Sequence, residues 1–122
     1  MITIGELLEK LHAVQDNKAT VVYDFCGIIP TKINSWRGVY AEPALGWKVW
    51  SYKDTDVTVS TLVEELEQAI DGRMYFGWKG GEYFYTKDSP LHVDNPGESS
   101  DTAIFDVLDC GWQVILITKR ED

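Results

Sequence analysis

Thr102-Ala103-Ile104-Phe105-Asp106-Val107-Leu108-Asp109-Cys110-Gly111-Trp112-Gln113-Val114-Ile115-Leu116-Ile117-Thr118 is the stretch that decides the fold. Two β-rich runs, 102–108 and 112–118, flank Asp109-Cys110-Gly111, a short connection with a permissive glycine, and this spacing predicts a β-hairpin. A second hairpin is predicted upstream, where 73–78 and 82–86 flank Lys79-Gly80-Gly81. Residues 87–101, which carry Pro90, Asn95, Pro96 and Gly97, read as a long loop between the two hairpins. The C-terminal half is therefore expected to be antiparallel sheet.

Working outward, the N-terminal half supplies helices. Thr3-Ile4-Gly5-Glu6 is a capping box, and Ile4, Leu7, Leu8 and Leu11 follow at helical spacing, which predicts a one-faced helix over 4–15. A second helix is expected over 59–71, with Val59, Leu62, Val63, Leu66 and Ile70 on one face, Thr58 as N-cap and Gly72 as a left-handed stop. The two helices begin alike, which a helix–strand duplication and convergence on a capped amphipathic helix explain equally well. Residues 20–25 read as a buried strand and 26–38 as a long connection. Further strands are expected near 38–42 and 45–52, split by Pro43, and period-two positions such as Trp47 and Val49, and Met74, Phe76 and Trp78, read as sheet core. Helices interspersed among strands give the expected class: a single α+β domain over 1–122, mainly antiparallel sheet with two amphipathic helices.

Composition narrows the function. A chain of 122 residues with 44% hydrophobic and 25% charged residues has the make-up of one soluble domain. It is long enough to bury roughly two thirds of its unfolded surface. No apolar run reaches the length of a membrane span, and the N-terminus lacks a charged-then-apolar secretion layout, so a cytoplasmic site of action is expected, with no membrane partner. Eleven cations against 20 anions give a net charge of −9, which argues against binding to a nucleic-acid backbone. That acidity serves solubility or, alternatively, mimics nucleic acid to occupy a basic protein partner.

Catalytic constellations are not written in the chain. His12 falls near the apolar stripe of the first helix and is read as half-buried; His92 falls in the second loop; neither has metal-ligand spacing. Cys26 and Cys110 read as small buried apolar residues. Neither a dinucleotide fingerprint nor a P-loop is present, so no catalytic residue, metal site or cofactor is expected. What stands out is Ser35-Trp36-Arg37-Gly38-Val39-Tyr40. Here one of three arginines (Arg37, Arg73, Arg120) sits beside a tryptophan in a donor-rich segment, a combination suited to a ligand with a ring and a phosphate. Trp36 can equally cover the end of the core, and Arg37 can equally be a surface ion-pair partner.

The runs Asp24-Phe25-Cys26-Gly27-Ile28-Ile29-Pro30-Thr31, Ser35-Trp36-Arg37-Gly38-Val39-Tyr40, Ala44-Leu45-Gly46-Trp47, Asn95-Pro96-Gly97-Glu98-Ser99 and Thr102-Ala103-Ile104 resemble a family of small phage and prophage proteins. The likeness extends over nearly the whole chain, and the group is identified as the first Thoeris anti-defence family. The resemblance implies a non-enzymatic sponge: it would bind and sequester a cyclic ADP-ribose-type (glycocyclic ADP-ribose) nucleotide signal without cleaving it, in the cytoplasm of an infected or lysogenic bacterial host. It also implies a homo-oligomer, dimer or higher, able to hold cyclic oligonucleotides. An acidic inhibitor of a host defence effector or nuclease is the alternative.

On that reading Trp36 or Phe25 stacks the adenine ring, Arg37 grips phosphate, and Arg120, with Lys119, supplies a second cation. Ser35, Asn95 and Gly97 offer hydroxyl, amide and backbone donors, and Asp24 or Glu98 suits ribose hydroxyls or the adenine amine. The pocket is expected to be preorganised and to lie between subunits.

Overall fold

In a computed structural model, the described residues are 1–25, 27–35, 42–52, 57–76, 82–94 and 102–120. Helix α1, Ile4–His12, starts where the capping box places it: Glu6 N–H donates to Thr3 Oγ1 and Thr3 N–H to Glu6 Oε1, both at 3.1 Å. Its buried side chains are the expected four, Ile4, Leu7, Leu8 and Leu11. Helix α2, Val59–Ala69, uses the same device with a hydroxyl in place of the carboxylate, since Thr58 N–H donates to Thr61 Oγ1 at 2.9 Å and Thr61 N–H to Thr58 Oγ1 at 3.3 Å. Beyond it Gly72 takes φ +76°, the left-handed turn expected of it. Both helices end two or three residues before their predicted limits.

The strands are β1 (Thr20–Tyr23), β2 (Ile28–Ser35), β3 (Pro43–Val49), β4 (Met74–Phe76), β5 (Glu82–Phe84), β6 (His92–Val93), β7 (Thr102–Asp109) and β8 (Gln113–Arg120). Six form one sheet in the order β1-β8-β7-β6-β3-β2, parallel at β1–β8 and β3–β6 and otherwise antiparallel; β4 and β5 pair as a separate hairpin. The domain is α+β, with both predicted hairpins present.

Four readings are corrected. The connection expected over 26–38 contains β2, whose register shift between Pro30 and Ile33 accommodates a proline that lacks an N–H. The Ile33 N–H is taken by Glu65 Oε2 of α2 at 2.9 Å. The strand expected over 45–52 begins two residues earlier, at Pro43, which opens β3 in a position where its missing donor costs nothing. The loop expected over 87–101 includes β6. Finally, Met74 is exposed, and its neighbour Tyr75 packs against the domain core instead; the side chain of Phe76 lies outside those described. Val49 is also exposed, while Trp47 is partly buried and donates Nε1–H to Asp94 O at 2.8 Å. Of the strand expected near 38–42 only Glu42 lies within the described residues, and Trp78 lies outside them.

The sheet cannot be flat. Its edge strands β1 and β2 would stand about 24 Å apart across five strand intervals. Yet the chain between Tyr23 and Ile28 reaches at most about 18 Å. Curling resolves the conflict: Tyr23 Oη crosses the concave side to donate to Leu45 O (3.2 Å) and Gly46 O (3.0 Å) of β3. Burial of that phenol, with Asp94 nearby, raises its pKa well above the ordinary value. The concave side also takes the apolar faces of both helices, where Leu7, Leu11, Leu62 and Leu66 join Val21, Ile33, Leu45, Val114 and Leu116 in one core. At Gly46 the neighbouring strand comes too close for a side chain. A Cβ there would collide with Thr31 Oγ1 and stand 3.1 Å from Lys32 O.

Candidate functional site

Every strand of the sheet delivers its ends to a definite place, and this sorts the sequence-predicted site residues into separate groups. Ser35 ends β2 opposite Pro43, so Ser35 and Glu42 bracket 36–41 at one end of the β2–β3 pair. Arg120 ends β8 opposite Thr102, and Asp94 and Thr102 bracket 95–101. Asn34, Ala44, His92, Ala103 and Lys119 stand in one cross-strand row, with Ser35 one residue to one side of it and Arg120 one residue to the other. β2 and β8 lie four strand intervals apart in the sheet order, but the curl that brings β1 to β2 leaves only β1 between them on the other side. The structure thus sets Arg120 at the foot of the segment carrying Asn95, Gly97 and Glu98, and Ser35 at the foot of the segment carrying Trp36 and Arg37. Trp36, Arg37, Asn95, Gly97 and Glu98 themselves lie outside the described residues.

Phe25 belongs to neither group. It follows β1, stacks on Tyr23 with centroids 5.1 Å apart, and lines an open groove of about 880 Å³. The groove floor lies on the convex face of the sheet. Val22, Ile115 and Leu108 sit in register across β1, β8 and β7, and Ile117 extends the row. Trp50 and Trp112 stand at its walls, 47% and 71% exposed. Asp24 also lines it, but both carboxylate oxygens are engaged by Thr118, through its N–H at 3.0 Å and its Oγ1 at 2.7 Å. Volume and aromatic lining match a ligand or partner site. Among the described lining residues there is no lysine or arginine.

Trp50, Trp112 and the aliphatic floor were not singled out by sequence reasoning, although a signal was available. Val114-Ile115-Leu116-Ile117 is apolar on consecutive residues, whereas a strand with one solvated face alternates. The run therefore called for cover on both faces.

The remaining titratable groups are scattered. His12 is exposed rather than half-buried, with Nε2 3.7 Å from Glu67 Oε1. His92 is buried in β6, not carried on a loop, and its Nε2 meets Glu42 Oε2 at 2.5 Å. Cys110 is exposed in the β7–β8 turn, which corrects the expectation of a buried thiol; Cys26 lies outside the described residues. Among the described residues no cluster of three or more His, Cys, Asp or Glu side chains could hold a metal ion, and no helix is long and apolar enough to cross a membrane.

Of the three arginines, Arg73 has a structural role. Its guanidinium forks onto Glu65 (2.8 and 3.2 Å) and also donates to Gln68 Oε1 (3.1 Å) and Tyr75 Oη (3.0 Å). Arg120 is exposed. No family model, curated protein or solved structure matches this chain.

Proposed function

We propose that the protein is a non-enzymatic sponge that binds a cyclic ADP-ribose-type nucleotide signal and holds it intact, blocking Thoeris immunity in the bacterial cytoplasm. The observation that supports this reading is the register of Arg120 with Thr102, the residue that follows the segment in which Asn95, Gly97 and Glu98 are expected to bind. A diphosphate needs charge-assisted donors, and an overall charge of −9 makes their grouping necessary. The resemblance supplies the ligand and the expected roles of Phe25, Ser35, Trp36 and Arg37. The resemblance also implies a homo-oligomer with the site between subunits.

The test is retention. The purified protein is incubated with the products of a TIR-domain enzyme acting on NAD, washed, denatured by heat, and the released material analysed. Intact cyclic ADP-ribose isomer is expected, and Arg37→Ala should abolish its retention while the far-UV spectrum stays unchanged. Release of a cleaved product, or of none, overturns the proposal.

A further inference from the structure

Strand register gives the convex groove a fixed order from end to end. Thr20 N–H donates to Trp112 O at 3.2 Å, which stands Trp112 beside the start of β1, and Asp24 follows the end of that strand, about 13 Å further on. Between them Val22, Ile115 and Leu108 form a row across three strands, and Ile117 is the next residue of β8 on the same face. Leu108 is 50% and Trp112 71% exposed, so floor and wall are open to an occupant. The alternation of β8 then puts Lys119 on the face of Ile115 and Ile117, in register with Ala103. Its ammonium lies over the Phe105 ring at 5.7 Å and has no carboxylate partner among the described residues.

Chemistry changes along that line. The floor beside Trp112 is aliphatic, which suits the face of an aromatic ring stacked on an indole. Asp24 is the one charged residue among the described groove-lining residues, and it stands level with Ile117, since Tyr23 pairs with Leu116. Thr118 takes two of the roughly four acceptor positions of a carboxylate, which fixes the direction of Asp24 and leaves it able to accept from hydroxyls. Lys119 then offers its ammonium donors to an anion. From Ile115 to Lys119 is about 13 Å of strand, the length of an extended nucleoside diphosphate laid ring-first. A protein face would use the floor and the indoles but neither the fixed carboxylate nor the cation in line with it.

We propose that this groove holds one nucleoside of the nucleotide signal, its ring on Val22, Ile115 and Leu108 against Trp112, its ribose hydroxyls on Asp24 and its phosphate on Lys119. The assignment rests on the sponge function proposed above. The probe is the cyclic ADP-ribose isomer recovered from the wild-type protein by heat release, titrated into the full chain by calorimetry with tryptophan emission in parallel. Trp112→Ala and Lys119→Gln should each weaken binding about fivefold or more. Both side chains are exposed, so the far-UV spectrum should not change. Trp112→Phe, which keeps a ring face, should stay within about threefold of wild type while losing part of the emission change. Lys87→Gln, the same charge change at an exposed residue beside the start of α1, should stay within about twofold. Recovery of no isomer from the wild type overturns the sponge function and this assignment with it. A recovered isomer that Trp112→Ala or Lys119→Gln binds as tightly as wild type overturns the assignment alone. So does a Trp112→Phe as weak as Trp112→Ala, or a Lys87→Gln as weak as Lys119→Gln.

Discussion

Arg73→Ala is the sharpest test of how the sequence holds this sheet. Glu65 sits on α2 with its side chain only 14% exposed, and three donors converge on it: both terminal nitrogens of Arg73 and the Ile33 N–H at the β2 register shift. Deleting the guanidinium leaves a nearly buried carboxylate with one backbone donor. Removing one partner of a buried pair costs about 3–5 kcal/mol. Arg73 is 31% exposed, so water can replace part of the fork, and the expected loss is about 2–3 kcal/mol. For a chain of this length that is roughly 8–12 °C in Tm. Urea unfolding followed by tryptophan emission should show the midpoint falling with an unchanged slope. Glu65→Gln keeps an acceptor for Ile33, and in the double variant the Arg73→Ala penalty should shrink by at least about 1 kcal/mol. A loss below about 0.5 kcal/mol for Arg73→Ala, the value of an ordinary surface pair, would refute the coupling.

Three further outcomes are expected. Burial raises the Tyr23 phenol above its unfolded value, so the native state keeps a proton that the unfolded chain gives up; its stability is present below pH ~10 and declines above it by up to about 1.4 kcal/mol per pH unit. Tyr23→Phe should cost about 1–2 kcal/mol at neutral pH and flatten that alkaline decline, and equal alkaline slopes in chemical denaturation would contradict it. Gly46→Ala forces β3 away from Thr31 and Lys32 and should cost about 1–3 kcal/mol by thermal unfolding; an unchanged Tm would show that the strands can separate freely. Cys110 should react with a thiol reagent in the native state at a rate within about tenfold of that in denaturant, as its exposure requires; protection beyond that would mean the β7–β8 turn is covered.

The sequence disclosed those parts of the fold whose signals are local. Capping needs only Thr3 and Glu6, or Thr58 and Thr61, three positions apart, and the C-terminal hairpin needs only its turn and two β-rich runs. What it hid depends on distant partners. Pro30 and Pro43 looked like breaks because a missing N–H is fatal only where a neighbour needs it, and the neighbours that decide this, Glu65 and the β3 partner strands, lie elsewhere in the chain. His92 followed the same logic. Two residues of strand between Leu91 and Asp94 have no periodicity, and they become β6 only because Ala44 and Ala103 stand on either side.

The site divides along the same line. Residue types told which side chains suit a nucleotide, but which of them meet depends on the strand order β1-β8-β7-β6-β3-β2, which no local spacing encodes. That order puts Ser35 and Arg120 one residue to either side of the row Asn34, Ala44, His92, Ala103 and Lys119, while Arg73 is committed to Glu65. Arg73 is thus tied into the scaffold, and on the proposed function Arg37 and Arg120 are the arginines that grip one diphosphate. The electrostatics then have a sign that can be measured. Close Arg–phosphate pairs are screened little by salt, whereas the repulsion of a −9 chain is long-ranged and screened within about 8–10 Å at physiological ionic strength. Nucleotide affinity should accordingly hold or rise as salt increases from low values. A steep fall would mean that the cations act at a distance, as a diffuse patch, and that no two arginines close on the ligand.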